Sequence, residues 1–232
     1  MRILKITMII LFAHYVTVNA QTVNQKNDSG EKIGSWVKYH DNGKKKYEGQ
    51  FHNDRPYGKF TYYYSNGNVK STSIFSDDGI IAHNTTYYKT GKLLAEGKYI
   101  NQKKDSIWRY YLDEESNPCI SSETFVNGEL NGESITYYLD TGKEAEIVFF
   151  KNGKKDGSLL KYFPDGTLMT KSYYKDGLPE GDFVHYHPNG KERIVGKYKD
   201  GIQVGEWKFY DENGEPMSED DFTRDEVIKN IE

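Results

Sequence analysis

His185 and His187 lie two apart in a segment rich in strand formers, so an extended backbone would carry both imidazoles on one face, the spacing from which a zinc site can begin. Zinc requires three or four converging ligands, and Pro188 followed by a turn leaves no third donor nearby. The pair is therefore read as two surface histidines, with no metal and no cofactor expected. The sequence carries no Gly-x-Ser-x-Gly elbow, phosphate loop, His-Glu-x-x-His or Cys-x-x-Cys, and its carboxylates are spread through turn-like segments rather than paired. No catalytic residue is assigned, and the expectation is a protein that is not an enzyme.

The residues that do recur at fixed spacing are aromatic, and their chemistry is contact rather than turnover. Tyr39, Tyr63, Tyr87, Tyr111, Tyr137, Tyr162, Tyr186 and Tyr210 each stand five residues after a very small residue, namely Gly34, Gly58, Ala82, Ser106, Gly132, Gly157, Gly181 and Gly205. The anchors are separated by steps of 24, 24, 24, 26, 25, 24 and 24, the mark of stacked supersecondary units. Two residues after the anchor come Trp36, Phe60, Trp108, Leu159, Phe183 and Trp207, with Asn84 and Ser134 breaking the series. Stacking would align these as two ladders. Burial of area between neighbouring units is the plainer role, but a phenol keeps a polar tip that also suits a contact surface. The eight tyrosines together with Trp36, Trp108 and Trp207 are accordingly the candidate binding set. An unbroken strand would send the two ladders to opposite faces and a bulge would bring them together; both arrangements stay open at this level.

What positions these rings must be β-structure. Turn pairs follow most of the tyrosines, at Asn42-Gly43, Asn66-Gly67, Thr90-Gly91, Thr141-Gly142, Asp165-Gly166, Asn189-Gly190 and Asn213-Gly214, and the Asn-Gly and Asp-Gly pairs among them suit two-residue type I′ turns. A returning strand then carries a second aromatic at Phe51, Phe75, Tyr99, Phe125, Phe149 or Phe150, Tyr173 or Tyr174, and Tyr198. It ends in a further turn signal, such as Asn53-Asp54, Asn127-Gly128 or Asp200-Gly201. The predicted fold is all-β: an elongated single-layer antiparallel sheet of about eight tandem β-hairpin repeats.

The unit Gly-x-aromatic-x-x-Tyr-x-x-Asn-Gly-Lys, seen from Gly34 to Lys44 and from Gly181 to Lys191, followed by Glu-Gly-x-aromatic as in Glu48 to Phe51 and Glu96 to Tyr99, resembles the MORN repeat in the variant form common in bacterial proteins. The resemblance covers residues 31 to about 214. It implies curved single-layer sheets of successive hairpins that act as scaffolds for proteins or, in some cases, for acidic phospholipids; some relatives are labelled antitoxin-like. Unit three departs from the pattern at Ala82 and Asn84, and unit four has a longer loop from Asp113 to Pro118 followed by Cys119, the single cysteine.

The ends complete the expected organisation. Arg2 and Lys5, the apolar stretch from Ile6 to Val16 and Val18-Asn19-Ala20 read as a signal peptide over 1–20, too short to span a membrane, with cleavage near Ala20 and a secreted, periplasmic or cell-envelope destination. Residues 21–30 read as a flexible leader, 31–214 as the repeat domain, and 215–232 as an acidic tail or short capping helix with Ser218 as its N-cap. Net charge is −4; residues 215–232 carry −5 and residues 1–20 carry +2, which leaves −1 for residues 21–214, and so near-neutral a repeat body excludes strong nucleic-acid binding. A single cysteine excludes an internal disulfide framework. The expected function is that of an exported, non-catalytic scaffold for an unknown protein partner, with envelope phospholipid or glycan binding through turn lysines and exposed rings, or an antitoxin-like role, as alternatives.

Overall fold

The computed structural model describes residues 22–223, so the predicted signal peptide and the tail beyond residue 223 lie outside the described residues. Within that range the chain is one open antiparallel sheet of 18 strands. Each strand pairs with its neighbour in sequence, from Lys32–Tyr39 on Lys45–His52 through to Glu192–Lys199 on Ile202–Tyr210. Strand formers fill the strands and Gly, Asn and Asp fill the joints, so local preference and topology agree. The predicted all-β hairpin array is therefore the observed fold.

The two edges of the ribbon are built by different turns. Between units the pairs Asn53-Asp54, Asn101-Gln102, Asn127-Gly128, Asn152-Gly153, Asp176-Gly177 and Asp200-Gly201 have both residues at positive φ, the type I′ geometry. Within units only the glycine of each Asn-Gly or Asp-Gly pair does, as at Gly43 (φ 78°) and Gly190 (φ 82°). The expected type I′ turns inside the units are thus corrected. His40 N–H donates to Lys44 O at 2.8 Å and Gly43 N–H to His40 O at 2.9 Å, closing a longer loop that needs one left-handed residue at its end.

Two bulges in most units set the faces. On the returning strand one residue is extra, so that Lys38 faces Tyr47 and Tyr39 faces Lys45 with Lys46 left over. Because the extra residue lies on the partner, the first strand alternates without a break from Trp36 to Tyr39, and the two ladders occupy opposite faces. The second bulge explains the small anchors. Gly34, Gly58, Ser106, Gly181 and Gly205 lie at φ of 67°, 64°, 59°, 79° and 71°. Ala82 is the exception, and there the pairing of Val69–Phe75 with Ile81–Tyr87 carries no bulge.

A single layer has no sandwiched core, and the buried apolar side chains form a ridge on one face. Phe60 and Trp108, each 2% exposed, are its most enclosed rings, with Ala82, Ala95, Phe125, Val148 and Leu159 also buried. Residues 22–30 do not form a loose leader. Gln25–Lys26 pairs with the first strand, and Asn27 Oδ1 accepts from the N–H groups of Ser29 (3.1 Å) and Glu31 (2.9 Å), which turns the chain back over Trp36. At the other end Pro216–Met217 adds to Ile202–Tyr210, and residues 219–223 are helical. Ser218 Oγ accepts from Asp221 N–H at 3.1 Å, the predicted cap, and Phe222 packs on Phe209 with centroids 4.7 Å apart.

Candidate functional site

The ridge face carries the ladder that begins at Trp36, interleaved with the second aromatics. Trp36, Phe51, Phe60 and Phe75 meet edge to face at centroid distances of 6.0, 5.1 and 5.3 Å. Asn84 then replaces a ring, held by its own bond to Ser73 Oγ at 2.9 Å. Tyr99 and Trp108 resume the series at 4.8 Å, and after Ser134 and Leu159 it ends in Phe183, Tyr198 and Trp207. Opposite Phe60, Trp108 and Trp207 stand Gly49, Gly97 and Gly196, where a Cβ would come within 2.4, 2.3 and 2.3 Å of the ring. The rings are seated on bare backbone. The pairing also resolves the ambiguous second aromatics, since Phe150 and Tyr174 face the anchors Gly132 and Gly157 as Phe51 faces Gly34.

Lysines two residues before the anchor cover several of these rings. Lys32 Nζ is 4.7 Å from the Phe51 centroid, Lys104 Nζ is 4.9 Å from both Trp108 and Phe125, and Lys155 Nζ is 5.1 Å from Tyr174. Lys104 also donates to the Tyr110 hydroxyl at 2.6 Å. Burial, and then the charge of Glu123, holds that hydroxyl well above the usual phenol range.

The tyrosine ladder lies on the other face, half-buried except at Tyr39, which is 55% exposed. Tyr63 donates to Glu48 Oε1, Tyr111 to Glu96 Oε1 at 2.8 Å, and Tyr137 shares a 3.2 Å contact with Ser122 Oγ. Lys45 and then Tyr63 depress the Glu48 carboxyl. Burial, and then Glu96, pushes the Tyr111 hydroxyl up to about 12. Tyr87, Tyr162 and Tyr210 engage through their carbonyls, which accept from Tyr64 (2.8 Å), Tyr138 (2.6 Å) and His187 (2.9 Å). Tyr186 is half-buried on the same ladder. Between Tyr87 and Tyr111 a shallow depression of about 480 Å³ is lined by His83, Thr85, Glu96, Lys98, Ile107 and Arg109.

The sequence reading missed a third ladder. The residue after each ladder tyrosine, where it is His40, Tyr64, Tyr88, Tyr138 or His187, reaches the carbonyl of the next unit's ladder tyrosine. A His or Tyr recurring at that one place was the available signal. His187 is only 5% exposed and His185 is half-buried beside Thr170 Oγ1 at 2.9 Å, which corrects their reading as surface residues. Burial, and then the nearby Arg193, keeps His185 below the ordinary imidazole range. Among the described residues no three His, Cys, Asp or Glu converge on one point.

Turn lysines, the expected route to an envelope ligand, are engaged as well. Lys44, Lys143 and Lys191 donate to the carbonyls of Asn66, Asp165 and Asn213 in the following turn, at 2.5, 2.7 and 2.7 Å. Asn117 fixes the long loop of unit four by bonding Leu93 O at 2.9 Å and Leu112 O at 2.7 Å.

Hairpins that repeat in one register, joined to their neighbours by the same side chains, define a tandem β-hairpin repeat protein. The family model for the MORN repeat variant matches residues 32–53, 56–77, 83–101, 155–176 and 203–223, and the chain carries MORN repeats of this variant form. Units four, five and seven fall outside the matched segments yet adopt the same paired hairpin. No curated protein matches the chain. Repeats of this kind often bind membranes or proteins.

Proposed function

We propose that this is an exported, non-catalytic repeat protein whose sheet serves as a scaffold for a protein partner. The observation that carries this reading is the single layer itself: among the described residues no second sheet covers the repeats, the short helix 219–223 sits at their C-terminal end, and large side chains such as Ile74, Ile107 and Ile202 stand exposed along the sheet. Membrane association is the weaker reading, because Lys44, Lys143 and Lys191 already donate to turn carbonyls and the repeat body is near neutral. Export rests on the sequence of residues 1–20.

The test is affinity capture with the tagged full chain, followed by titration of the recovered protein against the purified chain. A saturable complex that survives physiological salt supports the scaffold. Sedimentation with anionic vesicles that is lost as salt rises, with no protein retained, would overturn it in favour of lipid binding. Recovery of the tagged chain only from the cytosol would overturn export.

A further inference from the structure

We propose that Phe183, Tyr198 and Trp207 form a cage across the last two units that docks a lysine side chain of the partner protein; this rests on the scaffold reading and names the face it uses. The three rings stand 5.9, 5.2 and 5.5 Å apart by centroid, two of the pairs edge to face. They wall a depression of about 660 Å³ that is rimmed by Gln203, Glu206 and Glu219.

The chain itself supplies the template for the occupant. Two residues before the anchor, units one, four and six place Lys32, Lys104 and Lys155 over their aromatic rings. Units two, three, five and seven place Pro56, Ile80, Leu130 and Pro179 there. Unit eight alone has neither an ammonium nor an apolar group at that place: Gln203 reaches only the Tyr198 hydroxyl, at 3.5 Å.

The surroundings complement a cation. Glu206 and Glu219 are exposed, and neither forms an ion pair among the described residues. A lysine stem laid on the rings would carry its ammonium toward these carboxylates, combining ring-face attraction with charge pairing. Trp207 also differs from the other tryptophans. The indole N–H of Trp36 donates to Gln25 O and Ile33 O, and that of Trp108 to Lys98 O at 3.0 Å, whereas Trp207 Nε1 is buried with no partner among the described residues. Its ring rests on Gly196 with no indole bond to hold it there, and a guest on the outer face would meet the ring directly.

Three tryptophans give three indole N–H signals in a ¹⁵N-labelled full chain, so each cage reports on itself. Titration with the peptide acetyl-Gly-Lys-Gly-amide is expected to move the Trp207 signal saturably and leave those of Trp36 and Trp108, already covered by Lys32 and Lys104, in place. Norleucine in place of lysine should weaken the response at least about three-fold, the share owed to the cation. Gln203→Lys, which repeats what three other units carry, should move the Trp207 signal in the free protein and abolish the peptide's effect. No movement, equal movement with norleucine, or movement of all three signals would overturn the proposal. A Trp207 shift in Arg224→Gln/Lys229→Gln without peptide would overturn it too, by assigning the cage to the chain's own tail. If the peptide fails while a captured partner still binds, the cage falls and the scaffold stands.

Discussion

Gly97→Ala adds one methyl group to the sheet and should cost more than a methyl group normally does. Gly97 has no left-handed φ, so alanine fits the backbone there, and by restricting the unfolded chain it would stabilise by about 0.4–1 kcal/mol. Against this, the new Cβ would stand 2.3 Å from Cδ2 and 2.5 Å from Cε2 of Trp108, where ordinary contact begins near 3.4 Å. The ring must retreat by about an ångström from a site in which it is 2% exposed, 4.8 Å from Tyr99 and bonded to Lys98 O. Overpacking of this kind costs about 1–3 kcal/mol, and the loosened edge contact and indole bond add about 1–2 kcal/mol. The net expectation is about 2–3 kcal/mol of destabilisation, read as a fall of about 1 M in the urea midpoint followed by circular dichroism. Trp108→Leu supplies the decisive background, since unit six already sets Leu159 opposite Val148. In that background the alanine should cost almost nothing, a coupling of about 2 kcal/mol. A midpoint that stays level or rises in the Trp108 background, or an equal fall in both, would refute seating of the ring on bare backbone.

Other expectations follow from the same geometry. Tyr111→Phe strips Glu96 of its phenol donor and should cost about 1–2 kcal/mol, whereas Tyr39→Phe, at an exposed ring, should stay within about 0.5 kcal/mol in the same urea assay. The Tyr111 hydroxyl keeps its proton in the fold up to about 12 against 10.0 unfolded, so its contribution is complete below pH 10 and is lost as pH rises from there toward 12. Ultraviolet titration should show phenols ionising late in the folded protein and together near pH 10 in urea; a single early step in both would count against the Glu96 contact. His187→Ala removes a buried rung to Tyr210 O and should cost about 2–3 kcal/mol, while His52→Ala, at an exposed residue, should leave thermal unfolding unchanged.

The hairpin array was legible because its period, turn residues and strand formers point one way. Distribution between the faces was not, because it depends on which strand of a pair holds the bulged residue. Lys46 is that residue in unit one, and its type carries no mark of the role. The Asn-Gly pairs misled for a related reason: Asn-Gly serves a two-residue turn and a longer loop ending in a left-handed glycine, and the number of residues between paired positions decides between them. His187 looked like a surface residue because its acceptor, the Tyr210 carbonyl, lies 23 residues further on. The binding set read from spacing divides in the structure. The tyrosines make one face, Trp36 and Trp108 are each bonded to backbone and covered by a lysine, and Trp207 is the member whose indole N–H has no partner among the described residues.

The rungs from His40, Tyr64, Tyr88, Tyr138 and His187 all end on a backbone carbonyl of the following unit. A carbonyl is present whatever side chain its residue bears, so through these rungs each unit recognises the position of its successor and not its sequence. A hairpin removed or duplicated together with its turns would restore the junction it interrupted. Array length can therefore change by whole copies, whereas each ladder ring is matched to its seat in the preceding unit: glycine lies under Phe60, Trp108 and Trp207, while Asn84 faces Ser73 and Leu159 faces Val148.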